Sequence, residues 1–160
     1  MAANTDQRNE IRREVYHGTN VHMFAYRYPV RNLGEKQSWT FEEDFNTECQ
    51  SLPTSWSCKI SFQKVSDGSA ACIPFSLKRT DSGDDSVKVY FSLYIKDAAL
   101  RPLFDTPLTR IERLSAGDVL EDSVIETFQL PKLRSDFNLK LNVAVTIDVS
   151  YCHSENNENS

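Results

Sequence analysis

Val87-Lys88-Val89-Tyr90-Phe91-Ser92-Leu93-Tyr94-Ile95 is the stretch that decides the class of this fold. Successive side chains of a β-strand point to opposite faces, so a strand half-buried in a core alternates apolar and polar residues. Here Val87, Val89, Phe91, Leu93 and Ile95 fall on one face, and Lys88, Tyr90, Ser92 and Tyr94 fall on the other. A helix would place apolar residues three and four apart, and no run of roughly 11 to 18 residues in the chain shows that pattern convincingly.

The same alternation recurs on both sides of this stretch. Ile73, Phe75 and Leu77 read as a preceding strand, and the turn-rich Arg79-Thr80-Asp81-Ser82-Gly83-Asp84-Asp85 predicts a hairpin joining it to Val87–Ile95. Upstream, Phe24, Tyr26, Tyr28 and Val30 form one alternating set, and Trp56, Cys58, Ile60 and Phe62 form another, interleaved with Ser57, Lys59 and Ser61. Downstream, Leu139, Leu141, Val143, Val145, Ile147 and Val149 predict a long last strand. Several strands separated by turn signals, without intervening helices, point to an all-β antiparallel two-sheet β-sandwich.

Other segments break the pattern. Lys96 to Pro107 and Ser115 to Asp122 read as loops, and Phe128 to Leu133 reads as a short strand or turn whose Pro131 cannot donate to a central ladder. Residues 1–20 are polar, with Ile11 and Val15 alone at helical spacing, so a flexible N-terminal leader with at most a short frayed helix is expected. A single domain over 21–152 follows, then a disordered tail over 153–160, His153 to Ser160, with no apolar residue to anchor it. One domain suits a chain of 160 residues.

Composition narrows the function. Eighteen basic and 23 acidic residues give a formal charge of −5, without the Lys/Arg run a nucleic-acid surface needs, so neither nucleic acid nor an anionic membrane is an expected partner. No stretch approaches the roughly 18 apolar residues of a membrane span, and the first residues lack a signal-peptide pattern, which predicts a cytoplasmic or nuclear location. Cys49, Cys58, Cys72 and Cys152 are widely spread, with neither C-x-x-C nor zinc-finger spacing. Free thiols acting as small hydrophobes are expected, Cys58 above all, and no metal or other cofactor.

Catalytic signatures are missing as well. Three histidines, His17, His22 and His153, offer no visible triad, and the nucleophile-elbow, phosphate-loop and dinucleotide motifs do not occur. The acidic groups Glu42-Glu43-Asp44 and Asp84-Asp85 lack calcium-loop spacing and read as solvated strand ends. Trp56, opening an alternating strand, reads as core. Tyr90 and Tyr94, on the polar face beside Lys88, suit a protein contact surface. No enzyme is expected.

An ordered series of short motifs resembles the MATH (meprin and TRAF homology) family, most closely domains of the speckle-type POZ protein kind. Tyr28-Pro29-Val30-Arg31-Asn32-Leu33 looks like the family's opening Trp-x-Ile-x-Asn-Phe, and Ser38-Trp39-Thr40-Phe41 is similar to its small polar residue before Phe. Trp56-Ser57-Cys58-Lys59-Ile60, Ile73-Pro74-Phe75-Ser76-Leu77, Phe91-Ser92-Leu93 and the strand from Leu139 resemble its later strands, covering residues 24–150. The resemblance implies a sandwich of about eight strands that binds extended peptides across one sheet by edge hydrogen bonds and shallow pockets. It implies a peptide-binding adaptor, with substrate selection for ubiquitination as the family association. A self-associating structural or assembly protein is the alternative.

Carried over by position, the peptide cleft would involve Ser76, Lys78, Val89, Asp122, Ser123 and Ile125. Ser76 and Val89 stand where speckle-type domains have cleft aromatics, and Asp122 alone in its segment matches by type. The BTB/POZ domain that follows in those proteins is not in this sequence, nor is a heptad pattern like that which trimerises TRAF proteins.

Overall fold

The structure is a computed structural model that describes residues 10–31, 38–64, 70–97, 99–100, 102, 108–127 and 140–150. These residues form nine strands and no helix: β1 (Arg12–His17), β2 (Val21–Arg31), β3 (Ser38–Asn46), β4 (Ser55–Lys64), β5 (Ala70–Arg79), β6 (Val87–Asp97), β7 (Leu108–Leu114), β8 (Val119–Thr127) and β9 (Lys140–Ser150). No helix among them is long and apolar enough to cross a membrane.

Two antiparallel sheets build the predicted sandwich. One runs β1-β2-β9-β6-β7 and the other β3-β4-β5-β8. Every alternating set read from the sequence has its apolar members in the core: Phe24 to Val30, Trp56 to Phe62, Ile73 to Leu77, Val87 to Ile95 and Leu141 to Val149. Inter-sheet packing is largely aromatic. Tyr28 stacks on Phe41 and Trp39, with ring centroids 4.5 and 5.1 Å apart, Phe24 lies 4.4 Å from Phe45, and Phe75 stacks on Phe91 at 4.7 Å. Such contacts add to the burial energy of the rings.

Four expectations about the elements need correction. The hairpin between the Ile73 and Val87 strands does not form: β5 pairs with β4 and β8, whereas β6 pairs with β9 and β7. The segment between them crosses from one sheet to the other because both of its flanking strands have an apolar face to bury, and facing sheets bury both. Arg79 is buried at the crossing and bonds Asp81, Asp85 and Leu114.

Residues 12–17 form β1, neither a frayed helix nor an unstructured leader. All six of its residues are exposed, so burial left no period to read. Backbone pairing with β2 supplies the order, through a turn in which Gly18 N–H donates to the Val21 carbonyl and His17 and His22 share a 2.8 Å Nδ1–Nδ1 hydrogen bond.

Val119 to Asp122 belong to β8, not to a loop. The turn signal itself was right, since Gly117 adopts φ 89° in the left-handed region that favours glycine. The strand simply resumes two residues later, with Glu121 and Asp122 masking its alternation. Lys96 and Asp97 likewise extend β6. The expectations for Phe128–Leu133, Leu139 and the 153–160 tail fall outside the described residues.

Candidate functional site

The outer face of the five-stranded sheet is laid out in rows, because residues paired across antiparallel strands lie side by side on one face. Pairing in register puts Tyr16, Met23, Asp148, Tyr90 and Ile111 in one row that crosses all five strands. Tyr16 and Ile111 are each 58% exposed and Tyr90 is 37% exposed, so three of the large exposed apolar side chains share this row. The next row is small and polar, with Ala25, Thr146, Ser92 and Thr109 beside Glu14.

Asp148 sits in the middle of the first row. Its Oδ1 is buried and has no hydrogen-bond partner among the described residues, and burial raises its carboxyl above the ordinary value. A carboxylate held between Met23 and Tyr90 is poorly solvated, and a donor arriving from outside would satisfy it.

Further along the same face lies a basic recess of about 670 Å³. Arg12, Arg27 and Tyr94 share its first row around Ala144, Lys96 and Asn142 share the second with Pro29, and Arg31 pairs with Lys140 in the third. Glu10 is its single carboxylate among the described residues and docks on Arg31 through two hydrogen bonds of 2.7 and 3.2 Å. The Arg31 hydrogen bond holds the Glu10 carboxyl below its ordinary value despite some desolvation, and the charges of Arg31 and Lys140 add to the effect. The Lys96 ammonium lies 5.5 Å from the centre of the Tyr94 ring.

The residues expected to form a peptide cleft are not all brought together. Ser76 is partly exposed and Lys78 exposed on β5, next to Pro74 on the outer face of the four-stranded sheet. In register, Ser123 pairs with Pro74 and Ile125 with Cys72, whereas Asp122 pairs with Phe75, a core residue. Val89 is the clear correction: it lies on β6 in the other sheet, fully buried, so it cannot share an outer groove with Ser76. Positional carry-over failed there because Val89 belongs to the inward set of its own strand.

Tyr90 and Tyr94, in contrast, were legible as outward aromatics, and both lie on the face just described. Tyr16, Ile111 and the cations Arg12 and Arg27 were missed. Tyr16 and Arg12 on β1 and Ile111 on β7 come from strands without apolar periodicity, Arg27 is an outward polar residue of the alternating β2, and only pairing in register brings them beside β6 and β9. Among the described residues no three or more His, Cys, Asp or Glu side chains cluster to hold a metal ion. No protein-family model matches this chain, and no curated protein matches it significantly.

Proposed function

We propose that this domain is a non-catalytic protein-binding module that docks its partner on the outer face of the five-stranded sheet. The carrying observation is the row Tyr16, Met23, Asp148, Tyr90 and Ile111, which leaves aromatic and aliphatic side chains exposed around one poorly solvated carboxylate. Aromatic anchors with a desolvated polar group at the centre are what protein interfaces use for affinity and orientation. The MATH resemblance supports the same class of function, an adaptor, and its link to selecting substrates for ubiquitination belongs to this proposal. The surface proposed here differs from the cleft that the resemblance suggested.

The test is capture of partners by the immobilised domain from its native source, read by mass spectrometry, against Tyr90→Ser/Ile111→Ser. Both positions are exposed, so thermal melting should stay within a few degrees of the native domain, roughly the effect of an ordinary surface change. Partners lost in the folded variant support the reading, and partners retained in full overturn it. Self-association that light scattering detects in the native domain and not in the variant would assign the face to assembly instead.

A further inference from the structure

We propose that the basic recess on this face binds an extended acidic peptide segment of the partner, with Arg12, Arg27, Lys96 and Lys140 as its anchors; this rests on the docking face proposed above and adds the chemistry of what docks.

Charge is the first argument. The chain carries a net charge of −5, yet Arg12, Arg27, Arg31, Lys96 and Lys140 converge on one recess in which Glu10 is the single carboxylate among the described residues. Two pairs of these cations sit directly opposite one another across strands, Arg12 with Arg27 and Arg31 with Lys140. Like charges in that relationship repel and weaken the sheet. The second pair is relieved by Glu10, whose carboxylate bridges to Arg31. Arg12 and Arg27 form no ion pair with any described residue, Glu14 in the neighbouring row included. An anion from outside would relieve them as Glu10 relieves Arg31, and guanidinium groups favour carboxylates through paired, charge-assisted bonds.

Shape is the second argument. Arg27 and Arg31 stand four residues apart on β2, about 13 Å along the strand, and β1 to β6 spans three strand spacings, about 14 Å. An extended chain of about four residues covers that length, placing acidic side chains over both cation pairs. Ala144 keeps the floor low between Arg27 and Tyr94, so a backbone can approach the sheet. A small anion would engage one pair and leave the other. A nucleic-acid strand needs a longer cationic track than this square, on a protein whose net charge is −5.

The test uses the whole chain and three fluorescein-labelled probes: an eight-residue peptide with alternating Glu and Ser, the same peptide with Gln for Glu, and an eight-nucleotide RNA. Anisotropy should show the Glu peptide binding at least about tenfold tighter than the Gln peptide, and losing most of that margin between about 50 mM and 500 mM salt. Arg12→Ser/Arg27→Ser should weaken the Glu peptide by roughly tenfold, since it removes two of the four anchoring cations that have no ion pair among the described residues. Its melting temperature should not fall, because a repulsive pair is removed. A Glu peptide that binds no better than the Gln peptide, or is unaffected by the double substitution, overturns the proposal. RNA binding tighter than the Glu peptide overturns it too. Captured partners that are lost with Tyr90→Ser/Ile111→Ser but kept with Arg12→Ser/Arg27→Ser would sink the acidic peptide and leave the docking face standing. Partners kept by both variants would remove both.

Discussion

The guanidinium of Arg79, wholly buried, forks onto the carboxylate of Asp81 two residues further along, at nitrogen–oxygen distances of 3.0 to 3.2 Å. The remaining amino group donates to the carbonyls of Asp85 and Leu114, at 2.7 and 3.0 Å. Asp81 also accepts from the N–H groups of Ser55 and Gly83. One ion pair thus ties together the end of β5, the start of β4, the crossing between sheets and the end of β7.

Arg79→Met should therefore be among the most damaging single changes in the domain. It leaves the Asp81 carboxylate without its counter-ion and takes a donor from the buried Leu114 carbonyl and the part-buried Asp85 carbonyl, and breaking a buried pair in this way costs about 3 to 5 kcal/mol. Urea unfolding followed by tryptophan fluorescence would measure it. A loss below about 1 kcal/mol would mean that water replaces the guanidinium without penalty.

Asp81 also sets part of the acid stability. Burial works to raise its carboxyl, but the Arg79 guanidinium and the Ser55 and Gly83 N–H groups outweigh that and hold it below the ordinary value of 3.8. A depressed folded value means a stabilising contribution present above the unfolded value and lost as pH falls through the folded one. Asp81→Asn should weaken the domain at neutral pH and flatten its loss of stability below about pH 4. Melting temperatures between neutral and strongly acidic pH, parallel for native and variant, would show that the pair does not titrate with folding.

Trp56→Ala tests the inter-sheet core. Trp56 is 1% exposed, stacks 6.5 Å from Phe45 and donates its indole N–H to Thr54 Oγ1 at 2.8 Å. Truncation should cost about 3 to 5 kcal/mol through the cavity it leaves. Trp56→Phe keeps most of the volume and should cost less, chiefly the lost hydrogen bond. Calorimetric melting of the two variants checks the order.

What the sequence disclosed depended on burial. Strands whose inner face meets the opposite sheet, such as β6 with Val89 and Phe91 or β4 with Cys58 and Ile60, carry a strict period and were readable. β1 and β7 are edge strands, and among their side chains of known burial only Leu114 is buried, so pairing had to reveal them. The outer face proposed for docking was half legible for the same reason. Tyr90 and Tyr94 stand out against the inner set of their own strand, whereas Arg12, Arg27 and Lys140 come from three strands and become neighbours only through register. No local signal distinguishes a hairpin from a crossing between sheets at Arg79–Asp85, since both use the same turn residues.

The thiol of Cys58 should be inert in the native state. It is fully buried, and burial, with the Glu43 charge adding to it, pushes the thiol up to about 12, so the reactive thiolate is scarce at neutral pH. Iodoacetamide should modify Cys58 at least about a hundredfold more slowly in buffer than in urea, at a rate set by opening of the sandwich. Mass spectrometry of the peptide containing Cys58 over time provides the reading. Equal rates in the two conditions would contradict its place in the core.

Asp148→Asn should stabilise the domain while weakening its docking. Burial raises the Asp148 carboxyl above its ordinary value of 3.8, so ionisation is more costly in the folded state than in the unfolded chain. Below the unfolded value the group is protonated in both states and costs nothing. The cost grows as pH rises through that value and is complete above the folded one. Asn keeps the shape without the charge, so the variant should melt higher than the native domain at neutral pH, with the difference closing as pH falls below about 4. Partner binding should move the other way, because Oδ1, buried beside Met23 and Tyr90 without a partner among the described residues, becomes a weaker acceptor for a docked donor. Melting curves at neutral and acidic pH, set beside titrations with a captured partner, separate the two effects. A variant less stable at neutral pH would mean that the carboxylate already has a favourable partner, and a variant that binds equally well would take Asp148 out of the docking row.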